Sequence, residues 1–369
     1  MGSRAPVEKA PVGRQPLRFH WSLSQAGNPM RRSAQRDQMP GVPDLEAQVA
    51  LCRRAEECGI ESMLMAVGYT RPDPLLLSLA LGLETSTIKF MIACRAGLLS
   101  PVAFVQQINT ASALLPGRIC INLVAGHTPK ELGYYGSFLS HDQRFDQTHE
   151  FLSICRDLWR QDRAVDFQGV YYQVEGCRVG TPFVSEGETA PEIFVGGNSD
   201  RAADLAMRHA SCLWRFPDAP QEVAPHIAPV LAAGTEVGLI VSLVARPTHE
   251  EALRHAEAVL AQAGSAAQEV HRQLKQATDS VAFSSTYKLA DDAGSAWLAP
   301  RLWAGAVPYL GPPSIALVGS TDEIVEAILE YRSIGISQFL FLGWPDLEEM
   351  TFFGAEVLPR IRREEAQWR

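Results

Sequence analysis

Gly117-Arg118-Ile119-Cys120-Ile121-Asn122-Leu123-Val124-Ala125-Gly126 is the stretch on which the reading of this chain turns. An apolar run opens after the punctuation Pro116-Gly117 and closes on Gly126, the pattern of a strand buried on both faces. Such a strand belongs in the middle of a sheet. Its carboxyl end carries one amide side chain, Asn122, followed by a glycine where backbone can approach a flat ligand closely. That end reads as the floor of a cofactor site.

Outward from this strand the pattern repeats. Residues 17–23, 62–66 and 89–94 read as strands before it, and 192–195, 210–214, 236–244 and 338–342 as strands after it. Helices fall between them. Asp44 caps one that Gly59 stops, another starts near Asp73, Pro101 opens a third, and residues 144–159 form the helix after the central strand. Residues 164–174 alternate around Gly169 as an inserted hairpin, and Gly196 to Asp200 opens the next helix. Residues 264–314 read as a less regular, mobile excursion, after which Thr321 caps the helix to Ile334. Eight strands alternating with helices predict an α/β fold with parallel pairing and right-handed crossovers. Eight units favour closure into a (β/α)8 TIM barrel, here with insertions after strands four and seven. Residues 1–16 read as a disordered tail and 17–369 as one domain.

Bulk properties narrow the function. With 46% apolar and 20% charged residues among 369, the chain can bury a large core. A net charge of -9 without a basic run argues against nucleic acid and against an anionic membrane. Seven scattered cysteines without a C-x-x-C pair fit reduced thiols in a cytoplasmic protein rather than disulfides or a zinc site. No window approaches the ~18 apolar residues of a spanning helix.

In such barrels chemistry sits at the carboxyl ends of the strands. Attention therefore falls on Ser24 and Gln25, Gly68 to Arg71, Arg95, Asn122 to His127, Gly196 to Ser199, Trp214 to Phe216, Ser242, and Gly343 to Trp344. Gly196-Gly197-Asn198-Ser199 lies between a strand and a helix, so its amide donors and a hydroxyl meet the positive end of the helix. Simple helix capping and anion binding are both open for it. His127, just past the central strand, either faces the site as a proton carrier or is solvated. His20 reads as a core residue, and His141 with Arg144 either caps a helix or reaches an anion. The sequence has no G-x-G-x-x-G after its first strand, no Walker lysine, no H-E-x-x-H and no G-x-S-x-G. Without a nucleophile of its own, the chain calls for a cofactor to carry the reaction.

At these positions the sequence resembles the bacterial luciferase-like flavin monooxygenases, nearest their alkanesulfonate monooxygenase branch. The resemblance is carried by Phe90-Met91-Ile92-Ala93-Cys94-Arg95 with Ser100-Pro101, by Gly117-Arg118 through Gly126, and by His141-Asp142-Gln143-Arg144-Phe145 with Glu150-Phe151. Phe194 to Ser199, Leu302-Trp303-Ala304-Gly305, Ala316-Leu317-Val318-Gly319 and Leu342 to Glu349 continue it in the same order. It implies a barrel, as a homodimer or homotetramer, that takes reduced FMN (FMNH2) from a separate NAD(P)H:flavin reductase. O2 is the co-substrate, and a peroxyflavin oxygenates the substrate under a mobile lid. By position it places Asn122, Val124 and Gly126 along the flavin ring and Gly197, Asn198 and Ser199 at the phosphate. A phosphate-binding tyrosine of the family is Phe145 here, for which Arg144 or His141 would compensate.

The substrate pocket departs from that branch. Where it uses a cysteine after strand two, an arginine and a histidine on strand seven, an arginine in the late excursion and a tyrosine after strand eight, this sequence has Arg71, Ile240, Ser242, Leu310 and Trp344. His127, Arg71 and Ser242 are the candidate catalytic groups, and Gln25, Trp214, Leu310 and Trp344 the candidate substrate contacts. The expectation is a two-component FMN-dependent monooxygenase acting on a bulky, mostly neutral organic substrate. A deazaflavin-dependent hydride-transfer enzyme and a non-catalytic flavin-binding protein are the alternatives.

Overall fold

The structure, a computed structural model, describes residues 15–23, 43–344 and 346–367. Gln25 and most of the tail expected over residues 1–16 lie outside the described residues. Eight strands close a parallel barrel: Arg18–Ser22, Ser62–Met65, Lys89–Cys94, Ile119–Leu123, Glu192–Gly196, Cys212–Arg215, Glu236–Arg246 and Ile336–Gly343. Each pairs with the next, and the eighth pairs with both the seventh and the first. The ring is therefore complete.

The fourth strand has the two-sided burial that its sequence implies, with every residue from Ile119 to Leu123 buried. Ile119, Ile121 and Leu123 pack outward into the main core beneath the helices. Cys120 points inward to a second cluster with Met91, Phe194, Cys212, Trp214 and Leu340. That inner cluster plugs the barrel, and the period of two along each strand then sends the next inward residues, Ala93, Asn122 and Ile240, toward the open end. At the closed end Arg18 bridges Glu61 and Glu192, with Lys89 on Glu61, and His20 is held between Ser62 and Gln338. His20 is thus the satisfied core histidine that the sequence suggested.

Helix starts follow their caps. Asp44, Asp73 and Ser100 each accept a first-turn amide, at Ala47, Leu76 and Ala103 respectively. Two starts differ from the sequence reading. The helix after the fourth strand begins at His141, not 144, because Ser140 and Gln143 form a reciprocal capping box. Ser320, not Thr321, caps the helix Thr321–Ser333, again with a capping box, through Glu323.

The larger difference lies in the excursion. The helix starting at His249 runs to Ala277 through a kink at Gly264, and a second helix, Val281–Asp292, follows. Strand Ala316–Ser320 then pairs in parallel with the late half of the unusually long seventh strand, Ser242 to Arg246. Leu302–Trp303 and Trp297–Ala299 extend that sheet antiparallel, away from the barrel. The hairpin after strand four is present as Val165–Gln168 and Gln173–Cys177. All seven cysteines are free thiols. Among the described residues no helix is long and apolar enough to cross a membrane.

Candidate functional site

The carboxyl ends of the strands enclose a cavity of about 230 Å³. Its floor is Asn122 and Trp214, its walls include Ala93, Arg95, Val124, Ile240 and Phe216, and one rim is the turn Gly196 to Ser199. Val281 to Phe283 roof it. Of the residues singled out from the sequence, the cavity gathers Asn122, Val124, Gly126, His127, Gly197, Asn198, Ser199 and Trp214.

The turn is built tightly. Gly197 donates to the Trp214 carbonyl at 2.9 Å, and Asn198 Oδ1 accepts from Phe216 N at 3.0 Å, so the fifth and sixth strand ends are tied together. A Cβ on Gly197 would stand 2.7 Å from the Ala202 Cβ, which only glycine avoids. Ser199 Oγ caps Ala202 N at 3.2 Å. The helix Asp200–His209 therefore presents its positive end to the cavity, with the Asp200 and Arg201 amides lacking intrahelical acceptors. Capping and anion binding are compatible here, since the cap uses one amide only.

Gly126 serves a different purpose from close approach of a ligand alone. With φ of 83° and Leu132 Cδ2 2.8 Å from where a Cβ would lie, it turns the chain into the helix Pro129–Tyr134. That turn carries His127 to the cavity edge. The imidazole stacks on Phe283 at 4.7 Å and has Nε2 4.0 Å from Glu131. Burial pushes its pKa down; Glu131 pulls it up, and Arg95 and Arg71 push it down further. His127 is accordingly a neutral imidazole at pH 7, able to accept a proton.

Other expected residues lie elsewhere. Arg144 is 4% exposed, and its guanidinium donates to the carbonyls of Ala125 and Leu139 and to both oxygens of Asp279. It fastens the roof rather than reaching the cavity, whereas His141 and Phe145 line it. Arg71 borders a separate small space with Met65, Ala66 and Leu77. Ser242 is fully buried and donates to the Pro313 carbonyl at 3.0 Å, because the chain before the added strand Ala316–Ser320 folds over it. Leu310 and Trp344 pack in a satellite core against Trp303 and Val244, outside the cavity. Ile240 and Arg95, both named from the sequence, line the cavity, whereas Phe283 and Glu131 were not anticipated there. Arg95 was legible, two residues beyond Ala93 on the same inward face; Phe283, far along in the excursion, carried no such signal.

Three lining side chains have buried polar atoms without a protein partner: Asn122 Oδ1, Trp214 Nε1, and Arg95 Nε and Nη1. An acceptor and several donors, set among the apolar and aromatic residues that make up most of the lining, suit a flat heterocycle with both N–H and carbonyl edges. The closed parallel barrel thus carries this donor turn at the strand ends, the face where such barrels hold their chemistry. The chain belongs to the luciferase-like monooxygenase family, whose model matches residues 17–338. Solved structures share the fold. The EDTA monooxygenase of Chelativorans sp. BNC1 is 17% identical over 95% of this chain and 94% of its own, with a TM-score of 0.74. The oxygenating constituent of 3,6-diketocamphane monooxygenase from Pseudomonas putida, in complex with FMN, is 20% identical over 94% and 99%, at 0.67. The coenzyme F420 dependent tetrahydromethanopterin reductase of Methanopyrus kandleri is 15% identical over 94% and 100%, at 0.64.

Proposed function

We propose that the protein is a two-component monooxygenase that takes reduced FMN from a separate flavin reductase and uses O2 to oxidise a bulky, mostly neutral organic substrate. The observation that carries this reading is the Gly197 to Ser199 turn, a helix amino end that opens on a cavity lined by unpaired ring-edge partners. When bound, reduced FMN supplies the two electrons that, with O2, place one oxygen atom in the substrate and reduce the other to water.

The chain's own residues bind and shield. The Gly197 to Ser199 turn holds the phosphate, and Asn122 and Trp214 meet the ring edge. Phe216, Phe283 and Val281 exclude water, which would otherwise divert reducing power from the substrate. His127 accepts or returns a proton at Nε2. The FMN complex of the diketocamphane enzyme supports the cofactor, and the absence of a dinucleotide fingerprint in the sequence supports a separate reductase. A second reading, hydride transfer with a deazaflavin, draws on the F420 dependent reductase.

Anaerobic titration separates the two. Saturable binding of reduced FMN without comparable binding of F420 is expected. Binding of F420 in preference to FMN would move the protein to the hydride-transfer class.

A further inference from the structure

Arg95 is the most unusual group in the cavity. It lies at the end of the third strand, two residues beyond Ala93 on the inward face, and its side chain is 5% exposed. Nη2 donates to Glu131 Oε1 at 2.9 Å, and the guanidinium stands 5.8 Å from the centre of the Tyr135 ring. Nε and Nη1 are buried without a partner. A buried guanidinium leaving donors unpaired is costly, so such donors ordinarily serve a ligand or a bound water.

Glu131 matters to what that ligand is. Because the carboxylate already balances the guanidinium, Arg95 offers N–H donors without a net positive site. That suits a carbonyl or a singly charged carboxylate oxygen, and suits poorly a group such as phosphate that needs surplus positive charge. The cavity separates these two tasks. The phosphate-receptive turn follows the fifth strand, Arg95 follows the third, and the fourth strand with Asn122 runs between them.

We propose that Arg95 is a binding residue of the active cavity, anchoring a carbonyl or carboxylate oxygen of its occupant. This rests on the flavin reading only in that the oxygen can come from the flavin's own ring carbonyls or from the substrate. The experiment's arms distinguish these sources.

The variants are Arg95→Lys, which keeps the charge beside Glu131 but removes the planar donors, and the double variant Arg95→Gln with Glu131→Gln, which removes the buried pair without stranding either charge. Thermal melts establish that each is folded. Each is titrated with oxidised FMN by fluorescence, and the FMN-loaded protein is then titrated with benzoate and with benzyl alcohol by Trp fluorescence. If the flavin supplies the oxygen, FMN binding weakens about tenfold to a hundredfold and the visible band of bound FMN shifts. If the substrate supplies it, FMN binding is unchanged, wild type binds benzoate, and both variants lose that binding while benzyl alcohol is unaffected. Folded variants that match wild type in both titrations overturn the proposal. That result is expected if a single water in the adjoining space of about 20 Å³ satisfies Arg95 instead. A wild type that does not bind FMN at all refutes the flavin reading, while benzoate added to the FMN-free protein still tests Arg95.

Discussion

Ser199 combines two demands on one side chain. Its hydroxyl caps the helix Asp200–His209 through Ala202 N, and the same turn is the proposed phosphate site. Ser199→Ala should therefore lower stability by about 1 kcal/mol. It should also weaken FMN binding by about 1–2 kcal/mol, read by urea unfolding and fluorescence titration respectively. A stability loss with unchanged FMN affinity would reduce Ser199 to a cap. His20 makes a pH prediction. Burial pushes its imidazole from 6.5 down to about 4. Between those values the unfolded chain binds a proton that the folded chain refuses, so this contribution is full above about pH 6.5 and is lost as pH falls toward 4. The window is worth roughly 3 kcal/mol. His20→Gln, which can still bond Ser62 and Gln338, should be less stable at pH 7.5 yet lose less stability on going to pH 5. Equal losses in urea midpoint for both proteins would remove His20 as the sensor.

The roof is the element that the sequence hid best. The run Gly264-Ser265-Ala266-Ala267 reads as loop because glycine breaks helices; Gly264 does break it, at φ 69° and ψ 178°, yet a second helical stretch resumes at once and runs to Ala277. Tertiary burial decides the matter, since Ala263 and Ala267 pack into the satellite core with Val244 and Trp303. Beyond it, Thr278 donates to the His127 carbonyl, Asp279 pairs with Arg144, and Phe283 stacks on His127. These contacts span 135 to 156 positions of sequence, so no local pattern announces them. By contrast, the barrel strands are apolar runs between turn residues and were legible to within about two residues at most ends. The proposed lid is thus a clamped roof. Asp279→Asn leaves the buried Arg144 without its counter-charge and should cost about 1–2 kcal/mol, discounted because Asp279 is partly exposed. Cleavage near residues 278–283 in limited proteolysis should quicken, and FMN should slow it in wild type. A cleavage rate equal to wild type would mean that this ion pair does not hold the roof.

At the scale of the whole molecule, the barrel sets where the pocket is and the residues within it set what it takes. Eight strands, their order and the site's end were readable from period and punctuation alone. The pocket was readable only in part, because which strand ends stay open depends on what folds over them. Ser242 lies within the extended seventh strand and Trp344 just past the eighth, and both are covered, by the added sheet and the satellite core, while Ile240 remains on the wall. The wall is thus largely aromatic and aliphatic; Arg144 is taken up by Asp279, and Arg95, balanced by Glu131, offers unpaired donors but no surplus positive charge. The three charge-sharing oxygens of a sulfonate outnumber the two unpaired nitrogens of Arg95, so one oxygen would stay unmatched in a largely dry pocket at a cost of several kcal/mol. Sulfite release from short alkanesulfonates, supplied with a flavin reductase, should be negligible, and turnover above roughly 1 per second would contradict the pocket reading. The strand-end cavity is proposed as an FMN site with its phosphate at the Gly197 to Ser199 turn. Comparing the affinities of FMN and riboflavin, which differ by that phosphate alone, tests it most directly. FMN should bind at least about tenfold more tightly, a preference that shrinks when Asn198 and Ser199 are both replaced by Ala. Equal affinity for the two flavins, unchanged by those substitutions, would contradict it.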